Sequence, residues 1–169
     1  MIKNRKLSDA PYGTHITPLI AAVLETEGDV IELGMGDYST PLLHEIVKYQ
    51  RSVGINRNLF SYENHREWLN NFIDLENAYH HITFVNKWEN ISLIKCSVVF
   101  IDHAPAERRI IDIERWRHHA DIIVVHDTDK LKYYGYEPIL SSFKYRNTYE
   151  RYAKSTTIVS DRININNVI

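Results

Sequence analysis

Three segments constrain this chain more than anything else in it. "DVIEL" (29–33), "CSVVFID" (96–102) and "DIIVVHD" (121–127) are almost unbroken apolar runs, each with an acid at or next to its carboxyl end. Strands buried on both faces of a parallel sheet read this way, whereas half-exposed strands alternate apolar and polar residues. The segments between them read as helices. "THITPLIAAVLETEG" has Thr17 as N-cap, Pro18 at the first helical position and Gly28 past the end. "STPLLHEIVKYQ" repeats the device with Thr40 and Pro41. "NHREWLNNFIDLE" spaces Trp68, Leu69, Phe72 and Leu75 as one helical face behind Asn64 as N-cap, and "AERRIIDIERWRHH" turns Ile110, Ile113 and Trp116 inward.

"LFSYE" and "HITFV" supply two more strands, and "TDKLKYYGYEPILSSFK" has room for a short helix. The tail segments "YRNTYERYAK" and "STTIVSDR" alternate like two paired strands. The expected fold is α/β: one Rossmann-like, doubly wound domain over residues 1–169. Its seven-stranded sheet is mostly parallel and ends in an antiparallel hairpin.

Composition narrows the function classes. A chain of 169 residues, 44% hydrophobic and 25% charged, is an ordinary globular domain. The net charge of -2 argues against nucleic acid and acidic lipid as partners, although "KLKYYGY" and "FKYRNTYERY" interleave aromatic and basic residues. Tyrosine alternating along a strand is ordinary sheet composition. The only cysteine, Cys96, excludes an internal disulfide. No apolar stretch approaches the ~20 residues that span a bilayer. The basic start "MIKNRKLSDAPYG" lacks the apolar core of a secretory signal. The expectation is a cytoplasmic protein with a small-molecule partner and no membrane, with homo-oligomerisation left open.

Ligands of open α/β sheets bind beyond the carboxyl ends of the strands, so the residues following each strand carry the argument. They are "GMGDYST", Glu63-Asn64, "NKWEN", "DHAPAERR" and "HDTD", polar or acidic in every case. In the first, Gly34 and Gly36 lie between a strand and a helix, two residues after Glu32. A dinucleotide fingerprint needs a third glycine where this chain has Ser39. Taken alone, the pair reads equally as a tight turn, and Glu63 as a solvated strand end.

Together, "IELGMGDYST" and "YE" resemble the first and second motifs of the class I S-adenosylmethionine-dependent methyltransferases. The resemblance implies S-adenosylmethionine as cofactor. It also implies a close backbone approach at Gly34 and Gly36, with Glu32 and Ser39 at the site, and a Glu63 carboxylate accepting from both ribose hydroxyls. "VVFIDHAPAERR" further resembles the catechol O-methyltransferase-like group, in which a divalent cation chelates the acceptor. That resemblance implies Mg2+ held by Asp102, Asp127 and Thr128, with Asp102 also beside the cofactor. Two departures stand out. Pro105 occupies the position of the group's catalytic lysine, and only about a dozen residues precede the first helix, where the group has covering helices.

Without the lysine, the proton acceptor falls to an imidazole: His103 or His126 at the ends of two neighbouring strands, or His15 before the first helix. Asp102, His103 and His126 are the expected catalytic residues. Each histidine also reads as a strand-end residue bonded to backbone. Asp102 and Asp127 end adjacent strands ~4.8 Å apart, so they need a cation, a proton, or Arg108 or Arg109 turned back between them. His126 with the two aspartates also suits zinc or manganese. Trp88 either edges the adenine or packs in the core. The expected function is methyl transfer to an oxygen of a small molecule. The alternatives are a non-catalytic S-adenosylmethionine or nucleoside binder, acting as sensor or partner subunit, and a different nucleotide-utilising enzyme.

Overall fold

The computed structural model describes residues 13–150 and 154–165. The basic N-terminal segment, read above for a leader, and part of "YRNTYERYAK" lie outside them. Seven strands form one sheet: β1 (Val30–Leu33), β2 (Leu59–Glu63), β3 (His80–Phe84), β4 (Cys96–Ile101), β5 (Ala120–His126), β6 (Tyr145–Tyr149) and β7 (Thr156–Ser160). Their order is β3-β2-β1-β4-β5-β7-β6. The first five are parallel, and β7 pairs antiparallel with both β5 and β6. This is the expected α/β, Rossmann-like architecture.

Alternation within each apolar run builds two cores. Val30, Val98, Phe100, Ile122 and Val124 face α1 (Ile16–Leu24) and α2 (Ser39–Ser52), where they meet Leu19, Val23, Leu43 and Val47. The intervening residues Ile31, Leu33, Val99, Ile101, Ile123 and Val125 face Ile113 and Trp116 of α4 (Arg109–Trp116), and Leu140 of α6 (Glu137–Ser141). The winding reverses between β1 and β4, which opens a crevice beyond their carboxyl ends. Register brings its walls level: Leu33 pairs with Tyr62 on one side and Ile101 on the other.

Boundaries differ from expectation where local chemistry intervenes. α1 starts at Ile16 with His15 as its cap, and α2 starts at Ser39. The third helix shrinks to α3 (Arg66–Leu69), capped by His65, whose ring accepts from the Trp68 amide at 3.2 Å. Asn70 and Asn71 follow, and asparagine competes for backbone hydrogen bonds, so only a single 3-10 turn at Ile73–Leu75 continues. Its apolar residues Leu69 and Phe72 still bury, against Met35 and Ile82. The mixed segment holds α5 (Leu131–Tyr134) and α6. Among the described residues no helix is long and apolar enough to cross a membrane.

Candidate functional site

The glycine turn is fixed first by backbone packing. The Gly34 amide donates to the Tyr62 carbonyl at 3.0 Å, and Gly34 has φ +92. A Cβ built there would lie 2.5 Å from the His103 amide nitrogen and 2.6 Å from its Cα. The sequence assigned this glycine to the approach of a ligand, but the backbone it admits is that of the loop after β4. At Gly36 the same construction meets only the Ser39 hydroxyl, at 3.2 Å.

Glu32 lies beneath the turn, fully buried. Ser39 Oγ donates to Oε1 and Ser61 Oγ to Oε2, both at 2.6 Å, and Thr40 Oγ1 donates from 3.0 Å while accepting from the Gly36 amide at 2.9 Å. Burial pushes the Glu32 carboxyl up to about 7, against the opposing pull of those hydroxyls. Ser61 also contacts His80 Nε2 at 3.0 Å, and His80 Nδ1 meets His44 Nδ1 at 3.0 Å. Glu32 and Ser39 therefore hold the turn from below and present nothing to the crevice, a correction to their expected place at the cofactor.

Glu63 stands at the lip. Its Oε1 accepts from the amides of Asn64 and His65, at 2.9 and 2.8 Å, and its Oε2 accepts from the Met35 amide at 3.0 Å. A carboxylate offers about four lone-pair directions, so three are used and one remains. The expected pair of ribose hydroxyls exceeds that capacity, and a single hydroxyl matches it. Trp68 adds a second clamp on the turn, donating its indole N–H to the Met35 carbonyl at 2.7 Å.

The ends of β4 and β5 carry the titratable groups. The Asp102 amide donates to the Leu33 carbonyl at 2.8 Å, which sets its carboxylate beside the glycine turn. His126 Nδ1 lies 3.1 Å from Asp102 Oδ2, and Arg109 Nη2 lies 3.0 Å from Oδ1. Burial pushes the Asp102 carboxyl up, but the hydrogen bond from His126 and the charges of His126 and Arg109 prevail, holding it below its usual range. Arg109 also donates to the carbonyls of His103, His126 and Asp102, at 2.7, 3.0 and 2.9 Å, and so ties the two strand ends together. Thr14 Oγ1 is 3.1 Å from His126 Nε2. His15, brought over by the start of α1, packs edge-on against the His126 ring with centroids 4.6 Å apart. Asp127 turns the chain in the left-handed region, with φ 56, which ends β5 and aims His126 into the cluster.

These positions do not fit the expected magnesium site. Asp102 gives Oδ1 to Arg109 and turns Oδ2 to His126, away from the other two expected ligands. Asp127 pairs with Lys154 Nζ at 3.3 Å, and the Thr128 hydroxyl is spent on Ser155 and Thr157, at 3.0 and 2.8 Å. Lys154 escaped the sequence reading. It arrives just before β7, and although burial alone would lower its pKa, Asp127 raises it, so it is a fixed cation.

His103 and Trp88 also depart from their expected roles. His103 is buried with Nε2 3.0 Å from Asp112 Oδ2, and its ring stacks on Trp88 with centroids 4.3 Å apart. The Trp88 indole N–H donates to the Ala104 carbonyl at 3.0 Å within the larger core. Both are consumed in packing the loop after β4, and Trp88 is a core residue.

No family model matches the chain, and no curated protein matches it in sequence. Solved structures do match in shape. TrmK of M. capricolum, in complex with the natural cofactor product S-adenosylhomocysteine, superposes with a TM-score of 0.57 at 9% identity, over 85% of this chain and 66% of its own. A Listeria monocytogenes protein assigned to the class I S-adenosylmethionine-dependent methyltransferases gives 0.61 at 9%, over 95% and 64%. An S-adenosylmethionine-dependent O-methyltransferase of Thermotoga maritima gives 0.57 at 14%, over 88% and 65%. The chain has the class I methyltransferase fold. It spans no more than 66% of the length of any of the three.

Proposed function

We propose that the chain transfers the methyl group of S-adenosylmethionine to an oxygen of a small molecule. The observation that carries this reading is the Asp102–His126 pair, whose carboxylate is fixed beside the glycine turn through the Leu33 carbonyl. When bound, S-adenosylmethionine supplies an electrophilic methyl on a sulfonium sulfur. The residues fit it with the adjustments above: Gly36 carries no side chain to hold a ligand off the backbone, and the remaining lone pair of Glu63 takes one ribose hydroxyl. Asp102 holds the Nδ1 proton of His126, so Nε2 keeps a free lone pair. Thr14 occupies the position on Nε2 that an acceptor hydroxyl would take, and the imidazole then receives the hydroxyl proton. Methyl transfer is an in-line displacement, so alignment and this proton transfer are the contributions the protein makes.

Calorimetry with S-adenosylhomocysteine should give saturable binding to one site per chain. Labelled S-adenosylmethionine with a panel of phenols and vicinal diols should give labelled product, with or without added magnesium. His126→Gln should cut turnover by ~10²-fold or more while leaving S-adenosylhomocysteine affinity unchanged. Equal turnover in the variant would sink the assignment of His126. Pro105 favours a second reading, a cofactor binder that does not methylate, because it leaves no amine where the resemblance places one. Binding without product across the panel would select that reading.

A further inference from the structure

His15 is 3% exposed, and among the described residues neither ring nitrogen has a hydrogen-bond partner. A buried imidazole with both nitrogens unpaired is costly, and the fold places this one beside two groups that share its chemistry. One ligand atom each from His15, Asp102 and His126 lie within 4.8 Å of one another. The His126 Nδ1 to Asp102 Oδ2 separation, 3.1 Å, matches neighbouring ligands around an ion with bonds of ~2.1 Å. The surroundings suit ligands too. Thr14 Oγ1 meets the far nitrogen of His126, and Arg109 grips the far oxygen of Asp102, so each is oriented from behind. Two imidazoles and one carboxylate favour a borderline-soft ion over magnesium.

We propose that His15, Asp102 and His126 form a binding site for a divalent transition ion of the zinc class. The ligand set differs from the magnesium set that the resemblance implied, sharing only Asp102. The ion takes the place of the proton between Nδ1 and Oδ2, so it and the free base are alternative states of His126. In consequence, ion binding inhibits the proton transfer proposed above. The site itself stands whether or not the chain transfers methyl groups.

The test uses the tag-free chain, stripped of metal with a chelator and then titrated with zinc by calorimetry. One ion should bind per chain, and His15→Ala should weaken binding by about 100-fold. His118→Ala, at the opposite end of β5, should leave it unchanged. Cobalt in place of zinc should give visible absorption bands typical of four or five ligands. Melting in the absence of metal reports whether His15→Ala is folded, and if it is not, His15→Asn is read in the same way. Absence of saturable zinc binding, full affinity in the folded His15 variant, or equal loss with His118→Ala overturns the site. Zinc binding without any methyl transfer supports the site while removing the function proposed above.

Discussion

Around the glycine turn, buried polar groups are closed off by one another. Glu32 takes three hydroxyls, Glu63 takes three amides, and the Met35 carbonyl is capped by Trp68. One strand away, the ends of β4 and β5 are organised differently. The ring nitrogens of His15 have no hydrogen-bond partner among the described residues, Asp102 is 25% exposed, and Asp127 sits in a left-handed backbone conformation. The first region spends its polarity on rigidity, and the second keeps polarity in reserve. Binding platforms need the former, and groups that exchange protons or ions need the latter.

The largest effect should come from breaking the platform at Gly34. Gly34→Ala places a Cβ against the His103 backbone at a positive φ, and neither backbone has a flexible end to move aside. Overpacking and backbone strain together should cost ~3 kcal/mol or more. Gly36→Ala meets only the Ser39 hydroxyl and should cost below ~1 kcal/mol. Urea unfolding of both variants checks this. Equal losses would mean that the turn is not pinned by the loop after β4.

Glu32 sharpens the comparison through pH. Its folded carboxyl titrates near 7, raised from 4.5, so the folded chain holds a proton that the unfolded chain releases. That contribution is fully present below 4.5 and is lost as pH rises through 7. The shift corresponds to about 3 kcal/mol. His15 and His80 oppose it, since burial lowers each from 6.5 to about 4 and they add stability as pH rises over that interval. The wild-type profile therefore masks Glu32. Glu32→Gln should uncover it, its stability relative to wild type rising by about 3 kcal/mol between acid and neutral pH. A difference independent of pH would show that the three hydroxyls keep Glu32 ionised across the whole range.

The sheet and its helices were legible because their signals are local: solid apolar runs in the central strands and a proline in the first turn of α1 and of α2, although the threonines expected as N-caps lie inside those helices. The glycine turn was legible as a motif, but the reason for Gly34 was not, since the backbone it accommodates belongs to a loop distant in sequence. Glu32 and Ser39 show the same limit, because a motif names residue types without saying which side of the turn they face. His15, His126 and Asp102 were each readable as candidates, and Arg109 as a neutralising group. Their assembly was not, because it depends on α1 delivering its first residues over the end of β5. Lys154 gave no signal at all. An isolated lysine before a strand looks like any surface charge until β7 sets it beside Asp127.

Trp88 gives the smallest effect and the finest test of where the platform ends. Its indole N–H donates to Ala104, and its ring stacks on His103, which in turn pairs with Asp112. Trp88→Phe keeps the stacking surface and removes one neutral hydrogen bond, which is worth about 1 kcal/mol. The Ala104 carbonyl keeps a long contact from the Asn64 side-chain amide, at 3.5 Å, and lies where water replaces the lost donor in part, so the loss should fall at or below that figure. Affinity for S-adenosylhomocysteine should not change, because Trp88 is 4% exposed and belongs to the core beneath the loop. A tenfold or greater loss of affinity, with stability nearly intact, would return Trp88 to the adenine pocket. It would also move the boundary between closed and open polarity from β4 across to the end of β3.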